Sequence, residues 1–212
     1  MKIALIGASG FIGSALLAEA LQRGHDVLAL VSKPEKIAPA IGLVAHKVDV
    51  QDTAALAREL AGADVVISAF SGHAQSDVYD YYVRGIRSII AAAKEARVPR
   101  LLVVGGAGSL FVAPGVQLVD TPEFPAQWKG TAEGAREALK LLQAEAALDW
   151  TMLSPAAHIA PGERTGKFRL GKDELVVDAK GESHISVQDY AVAMLDEAES
   201  PQHRRARFTL GY

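Results

Sequence analysis

A chain of 212 residues with a formal net charge of -3, 50% of it hydrophobic, has room for one α/β core and little more. A charged fraction of 22% excludes a disordered or fibrous chain, the slight negative charge excludes general attraction to nucleic acid, and the lack of cysteine excludes disulfides and thiolate chemistry. The six histidines lack zinc-motif spacing, so no metal is expected, and no stretch approaches the ~20 apolar residues that cross a membrane.

The chain opens with an apolar strand, Lys2–Ile6, that runs into Gly7-Ala8-Ser9-Gly10-Phe11-Ile12-Gly13. Apolar residues at 12, 15, 16 and 20 mark a helix over Phe11–Arg23, stopped by Gly24. A leader-like reading of this end, with Ala18-Glu19-Ala20 as a cleavage site, gives way to that strand and helix. Strands follow at Val27–Val31 and Leu43–Val48, and Asp52 caps a short helix through Leu60 that ends at Gly62. After a strand at Val65–Ala69, Tyr79, Val83, Ile86, Ile90 and Ala93 line one face of a long helix. A strand at Leu101–Val104, a helical face through Ala132, Ala135, Leu139, Leu142 and Ala146, and a strand at Thr151–Leu153 complete the alternation.

Repeated strand–helix units whose strands show no polar alternation predict a parallel sheet covered on both faces. The expected class is therefore α/β, a Rossmann-type doubly wound sheet. Beyond Leu153 the alternation lapses into a glycine- and charge-rich stretch, Pro161 to Lys180, with short apolar pieces at Lys167–Leu170 and Leu175–Val177. Ser186-Val187-Gln188-Asp189 reads as a capping box opening a helix to about Glu199, and Arg207–Leu210 reads as a last strand. One domain over 1–212 is expected, with 155–212 contributing a small α+β appendage on the substrate side. The basic cluster from His203 to Arg207 reads as a solvated face.

Strand, glycine loop and helix in that order make an anion site, because a helix start offers unpaired N–H groups and partial positive charge. Gly7 would make the turn, Gly10 would admit a pyrophosphate, Gly13 would let helix and sheet approach, and Ser9 could add a hydroxyl donor. The whole run Gly7, Ala8, Ser9, Gly10, Phe11, Ile12 and Gly13 is assigned to a dinucleotide, against the plainer reading of a glycine turn with no ligand. NAD sites place a carboxylate about 20 residues further on, on the ribose 2′-hydroxyl. Here the second strand ends Leu30-Val31-Ser32-Lys33, with Lys36 beyond and no carboxylate before Glu35. That favours NADP(H) over NAD(H), held by Ser32, Lys33 and Lys36, unless the two lysines only face solvent.

The Gly-x-x-Gly-x-x-Gly spacing resembles that of the extended and atypical short-chain dehydrogenase/reductase families. The segments Leu101-Leu102-Val103-Val104-Gly105-Gly106-Ala107-Gly108-Ser109, Asp149-Trp150-Thr151-Met152-Leu153-Ser154-Pro155-Ala156 and Arg164-Thr165-Gly166-Lys167-Phe168-Arg169-Leu170-Gly171 resemble the NADH-flavin reductase family of bacterial NAD(P)-binding proteins, relatives of the NmrA-like and biliverdin/flavin reductase groups. The likeness continues through Ile185–Ala191 to Phe208–Tyr212. It implies that Asp49 and Val50 flank the adenine, that Ser68, Ala69 and Phe70 border the nicotinamide ribose, and that Gly105, Gly106 and Pro155 complete the cofactor site. A second ligand site is expected over the nicotinamide, walled by Phe70, Gly106 to Phe111, Trp128 and Pro155 to His158. Ser109 is the first choice for a hydrogen-bond donor there and His158 the second, as a proton source, against purely structural roles for both.

Short-chain carbonyl reductases use a Tyr-x-x-x-Lys pair to protonate an alkoxide. The tyrosines here, at 79, 81, 82, 190 and 212, have no lysine four residues on. Flavins and quinones need no such pair, because a conjugated ring spreads the incoming charge and can take its proton from solvent. The expectation is a cytoplasmic NAD(P)H-dependent oxidoreductase passing hydride to a flavin, quinone or similar acceptor, with flavin as substrate. The alternatives are a non-catalytic redox sensor that acts through a protein partner and, disfavoured by the missing pair, a sugar-nucleotide epimerase or dehydratase. No nucleic acid or membrane partner is expected, and the protein would be a monomer or homodimer.

Overall fold

The computed structural model describes residues 1–73 and 76–212. Its first half comprises β1 (Lys2–Ile6), α1 (Phe11–Gln22), β2 (Asp26–Val31), β3 (Leu43–Lys47), α2 (Thr53–Leu60), β4 (Val65–Ser68), α3 (Val78–Glu95) and β5 (Leu101–Val104). There follow β6 (Phe111–Ala113), β7 (Val116–Gln117), α4 (Ala126–Gln143), β8 (Trp150–Ser154), β9 (His158–Ala160), β10 (Arg169–Gly171), β11 (His184–Ser186), α5 (Val187–Glu199) and β12 (Ala206–Gly211). No helix is long and apolar enough to cross a membrane among the described residues.

The main sheet runs β10-β12-β8-β5-β4-β1-β2-β3, parallel throughout except for β10, which is antiparallel to β12. Chain order proceeds from β1 to β2 and β3 on one side and from β4 to β5, β8 and β12 on the other. The reversal between β1 and β4 is the crevice where such sheets bind ligands. Alternate residues of β1 serve two cores: Ala4 and Ile6 pack with α2, α3 and α4, whereas Ile3 and Leu5 pack with α1 and α5. Both faces are dry, which is why the strands read as unbroken apolar runs.

Residues 155–212 do not stand apart from this sheet. Helix α5 packs beside α1, and β12 pairs with β8 from Ala206 opposite Thr151 to Thr209 opposite Ser154. A separate parallel pair, β9 and β11, sets His158 opposite His184. The strands β9, β10 and β11 are three residues each, too short to leave a period in the sequence. Leu175–Val177 forms no strand; instead the Phe111 N–H donates to the Asp173 carbonyl at 2.8 Å and the Leu175 N–H to that of Phe111 at 2.9 Å.

Local signals were obeyed with two corrections. Asp52 caps α2 by accepting the Ala55 N–H at 2.9 Å, and Gly24 ends α1 with φ +77. At α5, Ser186 Oγ accepts the Asp189 N–H at 2.9 Å, but the return half of the capping box is missing. The Asp189 carboxylate accepts instead from the Thr165 hydroxyl, the Gly166 N–H and the Tyr212 hydroxyl. The basic cluster is likewise not uniformly solvated. Arg204 and Arg205 are exposed, but the His203 ring stacks on Phe208 at 4.0 Å and the Arg207 side chain is only 3% exposed, because strand alternation turns it inward.

Candidate functional site

Because the strands are parallel, the loops after β1, β2, β4, β5 and β8 meet at one edge of the sheet. Backbone bonds join them: the Gly7 N–H donates to the Leu30 carbonyl and the Ala69 N–H to that of Ile6, both at 2.9 Å, and the Gly105 N–H to that of Leu153 at 2.8 Å.

The three loop glycines do different work. Gly7 has φ +79, and a Cβ there would lie 2.7 Å from the Ala69 carbonyl oxygen. A Cβ on Gly13 would lie 2.0 Å from the Gly7 oxygen, so helix and loop touch backbone to backbone. Gly10 is unlike them: its φ of -78 and ψ of 175 suit any residue, and a Cβ would meet only the Gly7 oxygen, at 3.3 Å. The protein's own packing asks little of Gly10; the space in front of α1 is what a side chain there would fill.

That helix begins without a side-chain cap, in contrast to α2 and α5. The first amides of α1, from Phe11 to Gly13, therefore face an open cradle flanked by exposed Ser9 and Gly10, and its dipole adds positive potential. Ala8 is fully buried and secures the loop to the α1–α5 core, with Ile12 packed against it. A diphosphate fits this donor set and this space.

Ser32, Lys33 and Lys36 are exposed around a short 3-10 turn, Pro34–Lys36, and no carboxylate ends β2. Asp49 is exposed and shapes its loop, with Oδ1 accepting the Gln51 N–H at 2.9 Å; Val50 beside it is buried.

At the other end of the cleft, Ser68 is buried and its Oγ accepts the Phe70 N–H at 3.4 Å. Phe70 needs correction as a wall. Its ring stacks on Tyr82 at 5.9 Å, lies 5.5 Å from Tyr81, and fills the space beside Gly85, where a Cβ would come within 2.2 Å. Burial pushes the Tyr82 hydroxyl well above its usual range, so it stays protonated. The Gly105–Gly106 segment packs closely: a Cβ on Gly105 would meet Met152 Sδ at 2.9 Å and Ser154 Oγ at 3.0 Å, and one on Gly106 would meet Ala135 at 2.9 Å. Pro155 is buried behind it.

The two candidate proton donors part company. Ser109 is 1% exposed, and its Oγ accepts from Arg207 Nη1 at 3.2 Å. His158 is exposed on β9 and lines, with His184, Glu182, Ser183 and Leu175, a different cavity of about 520 Å³ that does not include Ser109. Trp128 is half exposed at the start of α4, with its ring edge-on to His73 at 5.8 Å. Asp178, Glu182 and His184 bring ligand-type atoms within 4.8 Å of one another, but Asp178 Oδ1 already accepts the N–H groups of Lys180 and Glu182 and closes a turn. Sequence reasoning missed Arg207; the polar–apolar alternation Arg207, Phe208, Thr209, Leu210 was the available signal. Helix α4, where a reductase Tyr–Lys pair would lie, contains no tyrosine.

The chain matches the NAD(P)H-binding family model over residues 7–198. The crystal structure of a "putative epimerase" from Bacteroides thetaiotaomicron is 49% identical, with a TM-score of 0.93, covering 100% of this chain and 96% of that one. A "putative exported protein" from Burkholderia pseudomallei is 46% identical, with a TM-score of 0.90 and 100% of both chains covered. A "putative NADH-flavin reductase" from Streptococcus pneumoniae TIGR4 is 34% identical, with a TM-score of 0.88, covering 100% of this chain and 99% of that one.

Proposed function

The chain belongs to the NAD(P)H-binding family of atypical short-chain dehydrogenases/reductases, and on that premise we propose that it is an NADPH-dependent reductase of a flavin, quinone or similar conjugated acceptor. The observation that carries this reading is the pairing of an open, glycine-capped helix start with a side-chain-free, closely packed Gly105–Gly106 platform and a tyrosine-free α4. The amides from Phe11 to Gly13 hold the pyrophosphate, Lys33 and Lys36 meet the 2′-phosphate, and Asp49 and Val50 border the adenine. Bound NADPH supplies a hydride. Two electrons and one hydrogen pass to the acceptor, and solvent supplies the balancing proton, so positioning and exclusion of water from the contact are the protein's main tasks. Ser109 follows the platform in the same loop, with Ser154 packed against Gly105; His158 opens elsewhere and has no part in the step.

The name of the Bacteroides relative points to epimerisation, which lacks its acid–base pair here. The cytoplasm is the proposed location because NADPH is held there, although the Burkholderia relative is named as exported. The test is oxidation of NADPH and NADH, followed by nucleotide absorbance, with FMN, FAD and a simple quinone, alongside direct nucleotide binding. Turnover with one acceptor class is the expected result. Tight binding without turnover of any acceptor replaces the reductase with a redox sensor.

A further inference from the structure

The loop after β5 is held from beneath by a buried cation that the nucleotide site does not use. Arg207 lies in β12 opposite Met152 of β8, with its side chain 3% exposed. Phe208 and Leu210 turn to the α1–α5 core, so Arg207 turns to the opposite face, beneath Ser109. Its Nε and Nη2 donate to Asp173 Oδ1 at 2.8 and 2.6 Å. Its Nη1 donates to Ser109 Oγ at 3.2 Å and reaches Ser154 Oγ at 3.5 Å. The Asp173 side chain is 55% exposed, whereas the two serines are 1% and 0% exposed. The ion pair is thus a dipole with its negative end at solvent and its positive end under the loop. Ser154 Oγ is also the atom a Cβ on Gly105 would meet at 3.0 Å, so guanidinium, serine and glycine platform lie in successive layers.

A hydroxyl oxygen that accepts from a guanidinium keeps its own proton to donate. We propose that Arg207 is a positioning residue for the hydride acceptor: through the buried Ser109 and Ser154 hydroxyls it holds its positive end behind the Gly105–Gly106 segment, in front of which reduction places negative charge. This rests on the reductase reading. The acceptors favoured are those whose two-electron-reduced form is an anion, as flavins and quinones are. Hydride and its two electrons leave the nicotinamide for the acceptor, the positive end of the Arg207–Asp173 pair faces the new charge across the Gly105–Gly106 segment, and water supplies the proton. Arginine suits the place because its planar fork serves Asp173 and both serines at once, whereas lysine offers charge at one point.

The test uses the whole chain as wild type, Arg207→Lys, Arg207→Met, Ser109→Ala and the Arg207→Met/Ser109→Ala double variant, each checked by thermal melting. NADPH affinity should stay within about twofold in all, because β12, which carries Arg207, lies four strands from β1, which carries the glycine loop. With the best acceptor, kcat should fall about tenfold or more in Arg207→Met and in Ser109→Ala, because each change breaks the contact that holds the positive end of Arg207 in place. Arg207→Lys should recover at least about a third of the wild-type kcat, and the double variant should be no slower than the slower single, since Ser109 acts only through its contact with Arg207. An active wild type whose Arg207→Met variant keeps its kcat, whose Arg207→Lys variant is no better than Arg207→Met, or whose two losses add in full overturns the proposal alone. A wild type that binds NADPH but reduces no acceptor overturns the reductase reading and this proposal together.

Discussion

The two ends of the sheet are built on different principles. On the β1–β2 side the chain presents backbone, through glycines and the uncapped amides of α1. On the β8–β12 side buried side chains do the holding. Arg100, 5% exposed, donates to the Glu197 carbonyl and carboxylate, both at 2.7 Å, and to Thr151 at 2.6 Å; Arg207 spans Asp173 and Ser109. A backbone site demands shape from a few positions and tolerates change elsewhere. A side-chain site demands matched partners, and removing one strands the other.

Substitutions should separate the two ends. The largest effect is expected from Gly13→Ala, whose Cβ collides with the Gly7 oxygen: about 4 kcal/mol of stability lost, with nucleotide binding lost alongside, read by denaturant unfolding and fluorescence titration. Glu197→Gln should cost about 3 kcal/mol, because it leaves Arg100 buried opposite a neutral partner, yet leave NADPH affinity intact in the folded protein. An equal loss of binding in that variant would break the division. Gly10→Glu reverses the pattern: a stable fold, but NADPH affinity down about 100-fold, because a carboxylate occupies the phosphate cradle. Replacing Lys33 and Lys36 together by alanine should lower NADPH affinity about tenfold while leaving NADH affinity unchanged, and equal losses for both would remove the assigned 2′-phosphate contact.

The smallest effect concerns the acid limb of stability. The Arg164 hydrogen bonds, helped by Arg23, hold the Glu19 carboxyl below its ordinary value despite its burial. Burial would raise Asp189 and Glu197, but hydrogen bonds from Thr165, Tyr212 and Gly166 to the first, and from Arg100 and His203 to the second, outweigh it. A carboxyl depressed by folding contributes stability that is present above its unfolded pKa and lost as pH falls through the folded one. Stability against urea should therefore be level above the ordinary carboxylate range and decline below it, and Glu19→Gln should make that decline shallower. An unchanged slope would show that Glu19 titrates alike in both states.

The β1–α1–β2 unit was legible because its chemistry is written in the chain itself: an apolar run, fixed glycines, a 3.6-residue period and a stop at Gly24. The Asp52 cap was legible for the same local reason. What the sequence left open is direction. Phe70 follows β4 as a wall residue should, yet its rotamer is decided by the hollow at Gly85 on another element. Ser109 and His158 each come a few residues after a strand of the main sheet, β5 and β8, but the partners that draw one inward and the other outward, Arg207 and His184, come from strands far along the chain. Asp189 was read as half of a local cap, and its carboxylate went to Thr165 and Tyr212 because tertiary donors outnumbered the local one.

The place of β12 bears on the order in which the molecule can be finished. It is the last strand in the chain, yet β10 joins the main sheet only through it. During synthesis, β1 through β5 can pair and close their glycine loop while β10 still has no neighbour and the loop after β5 has no arginine beneath it. The proposed dinucleotide cradle thus closes through near neighbours in the chain, and the proposed acceptor platform through a contact spanning 98 residues between Ser109 and Arg207.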